Sequence, residues 1–152
     1  ASRLARLIPE ATHRYPTYRL DIARGRIARA DRSLDGRLAE KVSMLMEHMT
    51  SPLLFCPIGI GRHVDHIITR QIGNRFGERV IYYADFPYNQ SHGPDAAFIA
   101  SRGLVQWLWD EGIEDKPAHI RGYRTQAYAL FPDSHIPQVP ETYWNVTPSM
   151  ER

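Results

Sequence analysis

The sequence predicts an α/β fold on three observations: a short apolar run at Leu53-Leu54-Phe55-Cys56, helical stripes on both sides of it, and a second β-branched and aromatic run at Val80-Ile81-Tyr82-Tyr83. An apolar run with no alternation suits a strand buried on both faces, as in a parallel sheet. Strand, loop, helix and strand in that order make a right-handed βαβ unit the default connection. The expected architecture is therefore a mostly parallel sheet flanked by helices, in one domain spanning 1–152.

The elements follow in order. Through about Asp31 the chain mixes Pro9, Pro16 and Gly25 with short helical patterns and gives no firm assignment. Ser33 then stands where an N-cap belongs, and Leu34, Leu38, Val42, Leu45 and Met49 recur at helical spacing. Thr50-Ser51-Pro52 ends that helix. After the first strand a glycine-rich turn, Pro57-Ile58-Gly59-Ile60-Gly61, leads into His63-Val64-Asp65-His66, and Ile67, Ile68, Ile72 and Phe76 predict that this motif opens a helix. Beyond the Val80 strand, Ala96 to Trp109 and Pro117 to Leu130 both read as helices, the second with proline in its first turn. On a helix Trp107 and Trp109 would face different sides, leaving one of them for an interface or pocket wall. The tail from Pro132 is rich in proline and aromatics, and Thr142-Tyr143-Trp144 reads as an edge strand.

Composition narrows the function classes. With 43% hydrophobic and 24% charged residues the chain is an ordinary globular sequence. No run approaches the roughly 18 apolar residues of a membrane span. Arginines at Arg3 and Arg6 stand where a signal peptide needs an apolar stretch, and a single cysteine, Cys56, forms no internal disulfide; both point to a cytoplasmic protein. A net charge of +2 implies no polyanionic partner. Residues 1–37 do carry nine arginines against four acids, but no aromatic interleaving or nucleic-acid motif accompanies them, so they read as a solvated surface.

Chemistry concentrates at His63, Asp65 and His66. In open α/β sheets, ligands bind beyond the carboxyl ends of strands, where loops lead into helices, and the motif sits in such a loop. Gly59 and Gly61 let the backbone turn tightly there. Two imidazoles and a carboxylate within four residues can divide the work of a hydrolytic metal site: one binds metal, one polarises or protonates, and the acid fixes a ring tautomer. A His or Asp at a helix start also serves as a plain cap. Tyr83, Asp85 and Tyr88 follow the second strand and face the same region; Asp85 and Tyr88 are candidate substrate contacts, or else core and turn residues. His92, in a polar loop, either covers the site or is a surface residue. His13, His48, His119 and His135 have no partner at ligand spacing, and Cys56 reads as inert packing.

Four stretches, in order, carry a family resemblance: Pro57-Ile58-Gly59-Ile60-Gly61-Arg62-His63-Val64-Asp65-His66, Tyr83-Ala84-Asp85-Phe86-Pro87-Tyr88, Tyr123-Arg124-Thr125-Gln126 and Glu141-Thr142-Tyr143-Trp144. Together they resemble the LmbE-like, or PIG-L-like, zinc-dependent N-acetylglucosaminyl deacetylases, from about Tyr15 to Trp144. The resemblance implies a Rossmann-like sheet, Zn2+ as cofactor, and hydrolysis of the amide of an N-acylated amino sugar or glycoconjugate. It implies that His66 is a zinc ligand, that His63 stabilises the oxyanion or protonates the leaving amine, and that Asp65 orients His63. The family's Ala-His-Pro-Asp-Asp-Glu signature, which supplies two further ligands and the base, has no match. The chain therefore reads as a C-terminal portion lacking its first strands and inactive in isolation, with the missing N-terminal segment or a second copy as partner. The rival is a catalytically silent sugar-binding or regulatory module of the same fold. An unrelated metal-dependent hydrolase of the metallo-β-lactamase kind would need a His-x-His partner, which the sequence lacks.

Overall fold

The computed structural model describes residues 21–22 and 24–146. The segment around Pro9 and Pro16, and His13, lie outside the described residues. Four strands, β1 (Leu54–Pro57), β2 (Val80–Tyr83), β3 (Leu104–Trp109) and β4 (Glu141–Val146), form one sheet in the order β1-β2-β4-β3. The helices are α1 (Leu34–Met46), α2 (Val64–Gly73), α3 (Ala96–Arg102), α4 (Lys116–Gly122) and α5 (Ala127–Leu130). No helix among them is long and apolar enough to cross a membrane.

The β1-α2-β2 unit pairs its strands in parallel, with Leu54 opposite Val80 and Pro57 opposite Tyr83. The rest of the sheet departs from the mostly parallel expectation. β4 lies antiparallel to both β2 and β3, so the fold is a mixed α/β sheet with one parallel pairing. β4 is also an interior strand, not an edge, and fills the gap between β2 and β3.

Two helical assignments need correction. The apolar stretch Ala96 to Trp109 is a helix only to Arg102, where Gly103 adopts the left-handed conformation of a C-cap (φ 58°). The aromatic, branched run after it is β3, pairing with β4 along its whole length. On a strand, residues two apart share a face. Trp107 and Trp109 therefore lie on the same side, and Trp107 stacks on Tyr143 at 4.7 Å between centroids. The Pro117 to Leu130 stretch is broken by a turn at Tyr123-Arg124 into α4 and α5. Ser33 occupies the N-cap position of α1 without a capping side-chain bond, and the helix ends at Met46. Its inward stripe runs through Leu34, Leu38, Ala39, Val42 and Met46, leaving Leu45 and Met49 exposed.

One core cluster joins α1 to α2 through Ala39, Met46, Val64, Ile68, Ile72 and Phe76. The other lines one sheet face with Cys56, Val80, Tyr82, Leu104 and Trp144, covered by Phe98 and Ile99 of α3. On the opposite face Phe55, Tyr83, Val105 and Trp109 are exposed. Helix α2 reaches the sheet because Gly73 has no side chain: a Cβ there would meet the Cys56 Sγ at 2.8 Å. Burial pushes the Cys56 thiol up to about 11, so it packs as an inert apolar group. Gly73→Ala is expected to lower stability. Overpacking costs about 1–3 kcal/mol, against at most about 1 kcal/mol of helix propensity regained. Urea unfolding measures it; on a Cys56→Ala background the loss should shrink, the remaining contacts being Val80 Cγ2 at 3.1 Å and the residue-56 Cβ at 3.2 Å.

Candidate functional site

The site is assembled by the parallel pairing. Because Pro57 and Tyr83 are in register, the loops that leave β1 and β2 emerge side by side, and the Ile58 amide extends the ladder to the Tyr83 carbonyl at 2.9 Å. The β1 loop then turns sharply, with the Arg62 amide donating to the Gly59 carbonyl at 3.2 Å. Gly61 (φ 79°) is needed there on two counts: its backbone is left-handed, and a Cβ would strike the Tyr88 ring at 3.0–3.2 Å.

Asp85 is the keystone of this arrangement. Its carboxylate, 1% exposed, accepts hydrogen bonds from the Gly59 and Ile60 amides at 2.8 and 2.7 Å. The other carboxylate oxygen lies 2.5 Å from His66 Nδ1. That approach is an ion-pair contact lacking the alignment of a full hydrogen bond, and neither buried atom has another partner among the described residues. A carboxylate on Nδ1 fixes the ring and leaves Nε2 as the nitrogen able to coordinate or accept. The Asp85 carboxylate therefore points into the β1 loop, whereas Tyr88 presents its ring edge-on to His66, centroids 6.3 Å apart.

His63 is the N-cap of α2, its Nδ1 accepting from the Asp65 amide at 3.3 Å. An accepting Nδ1 puts the proton of the neutral ring on Nε2. The Asp65 carboxylate stands 3.7 Å from the same nitrogen and is largely exposed, so it acts on His63 chiefly through its field. The two imidazoles lie 5.4 Å apart between centroids. Burial holds the His63 pKa below its ordinary 6.5; the Asp65 charge pulls it up and His66 pushes it down. His63 is thus neutral at pH 7. Between the folded midpoint and 6.5 the unfolded chain binds the extra proton, so stability rises with pH through that window and is lost as pH falls through it. An NMR titration should place the His63 midpoint below 6.5, and Asp65→Asn should lower it further; a rise would contradict this balance.

Arg70 had no place in the sequence reading. Its guanidinium bonds the Ile58 carbonyl and Asp95, each at 3.3 Å, and covers the Phe98 ring at 4.3 Å. It thereby clamps the end of β1 to the cap of α3, where Asp95 accepts from the Phe98 amide. A cleft of about 700 Å³ is lined by Arg62, Arg70, Tyr88 and His92; neither His63 nor His66 lines it. His92 is exposed, its Nδ1 2.8 Å from the Ser91 hydroxyl. Tyr123 to Gln126 form the turn between α4 and α5, and His119 lines a second cleft on the far side of Asp85. No three His, Cys, Asp or Glu side chains converge as a metal-holding group among the described residues. What the residues do provide is one imidazole held by a buried carboxylate, the form of a single metal ligand with its orienting partner.

No family model, no curated protein and no solved structure matches this chain.

Proposed function

We propose that the chain carries one half of a zinc-dependent N-deacetylase site, acting on the amide of an N-acylated amino sugar or glycoconjugate. The observation that carries the reading is the buried Asp85 carboxylate set against His66 Nδ1, three residues from a second, neutral imidazole and at the carboxyl end of a parallel strand pair. His66 would hold the metal through Nε2, with Asp85 fixing the ring. Bound zinc would lower the pKa of its water and polarise the amide carbonyl. His63, whose neutral form carries its proton on Nε2, is suited to donate a hydrogen bond to the developing oxyanion. Tyr88 would form a wall of the acyl-sugar pocket. β1, β2 and β3 share one direction, which supports reading the sheet as part of a Rossmann-like layer.

A catalytic zinc takes three protein ligands and an open position, and the described residues offer one by this reading. The other two ligands and the water-activating base would come from residues other than those described. Zinc titration followed by NMR tests the assignment. The chain alone should bind zinc weakly, with shifts centred on the His66 ring, and His66→Ala should remove the saturable response. Tight one-to-one uptake that survives His66→Ala would overturn it.

A further inference from the structure

The cleft where His119 lies sits beyond the carboxyl ends of β2 and β3. β2 and β3 each run antiparallel to β4, so they point the same way, and the Tyr83, Trp109 and Glu141 ends meet at one end of the sheet. There a cavity of about 570 Å³, within the range of small-ligand sites, is lined by Tyr83, Trp109, Tyr143, Glu111, Lys116 and Glu141. It is joined to the histidine site by Ala84-Asp85-Phe86: Asp85 turns toward His66, while Ala84 and Phe86 line the cavity.

We propose that this cavity is a carbohydrate-binding site, separate from the histidine cluster, taking the ring of a neutral saccharide. Sugar binding here does not depend on the deacetylase reading. Trp109 and Tyr83 are 47% and 37% exposed, which is unusual for rings on a paired sheet and leaves aromatic surface for the apolar C–H face of a pyranose. Tyr143 is held in place by its stack on Trp107. The polar groups select a neutral, hydroxyl-rich ligand over an anion. Lys116 Nζ is fully engaged, bound to Glu141 at 2.6 Å and the Val139 carbonyl at 3.2 Å, and seated 3.9 Å over the Phe86 ring. Its charge is neutralised where it stands. Exposed Glu111 and partly exposed Glu141 remain as hydroxyl acceptors beside the rings.

N,N′-diacetylchitobiose is the probe, titrated into the chain without metal and followed by tryptophan fluorescence and amide NMR shifts. Saturable shifts at Tyr83, Trp109 and Glu111 are expected. Trp109→Ala should weaken binding by about tenfold or more, the equivalent of one good ring contact. Glu111→Ala, at an exposed position that leaves the sheet intact, should weaken it severalfold, and His66→Ala should leave it within twofold. No saturable response, shifts that map elsewhere, or unchanged affinity in both the Trp109 and Glu111 variants would overturn the proposal. Chitobiose binding that depends on Trp109 in a molecule with no His66-dependent zinc response would reject the deacetylase reading and leave the carbohydrate-binding site standing.

Discussion

Replacing Asp85 with alanine is expected to destabilise the fold by about 2–6 kcal/mol, since it leaves two buried backbone amides without an acceptor at about 1–3 kcal/mol each. The carboxylate satisfies two consecutive backbone amides, at 2.8 and 2.7 Å, and faces an imidazole nitrogen that has no other partner among the described residues. Alanine leaves those amides buried without an acceptor. Urea unfolding should show the loss; a shift under about 1 kcal/mol would mean water or a rearranged loop replaces the acid. Asp85→Asn separates structure from chemistry. Its amide oxygen can still accept from the Gly59–Ile60 turn, so more of the stability should survive. Its NH2 group toward His66 would make Nδ1 an acceptor and drive the ring proton to Nε2, closing the nitrogen that metal needs. The Asn variant should therefore be folded yet lose the His66-centred zinc response.

The second large effect is on turnover, in a molecule with its full ligand set. On the proposed deacetylase reading, His66→Ala is expected to abolish zinc-dependent release of acetate from N-acetylglucosamine conjugates, because the proposed ligand is gone. His63→Ala should leave the metal bound and cut kcat by about 10²–10³-fold, the usual cost of removing one oxyanion donor. Metal content and acetate release, measured on the same preparations, distinguish the two. Activity retained in the His66 variant would refute its role as ligand. Equal metal loss in both variants would mean that His63 is a ligand as well.

Much of the core was legible because it follows one rule at a time. β2 was readable from Val80 to Tyr83 as branched and aromatic residues, and the α2 stripe from Ile68, Ile72 and Phe76. What misled was apolar sequence without a clear period. Ala96 to Trp109 contains a helix and a strand, and only Gly103 marks the join; a lone glycine in an apolar run is weak punctuation until its left-handed φ is seen. The site was half legible. Adjacency in the chain suggested pairing His63 with Asp65, yet the closest imidazole–carboxylate contact is His66 with Asp85, from the neighbouring strand. The parallel βαβ expectation contained the clue, since loops after paired parallel strands must meet. The aromatic cavity was hidden for a different reason: it needs β3 and β4 to be neighbours, and that pairing is far apart in sequence.

The interior position of β4 fixes an order of assembly. Among the described residues β3 has no partner except β4, and β4 alone connects it to β2. During synthesis, β1, α2 and β2 can dock as soon as they leave the ribosome, but Leu104 to Trp109 must wait, aromatic and unpaired, until Glu141 to Val146 arrive. Long-range closure of this kind is slow and exposes sticky intermediates. Nascent chains halted before Glu141 are therefore the ones that should depend on chaperones, and a cut just ahead of β4 should cost the sheet its β3 side rather than merely trim a tail.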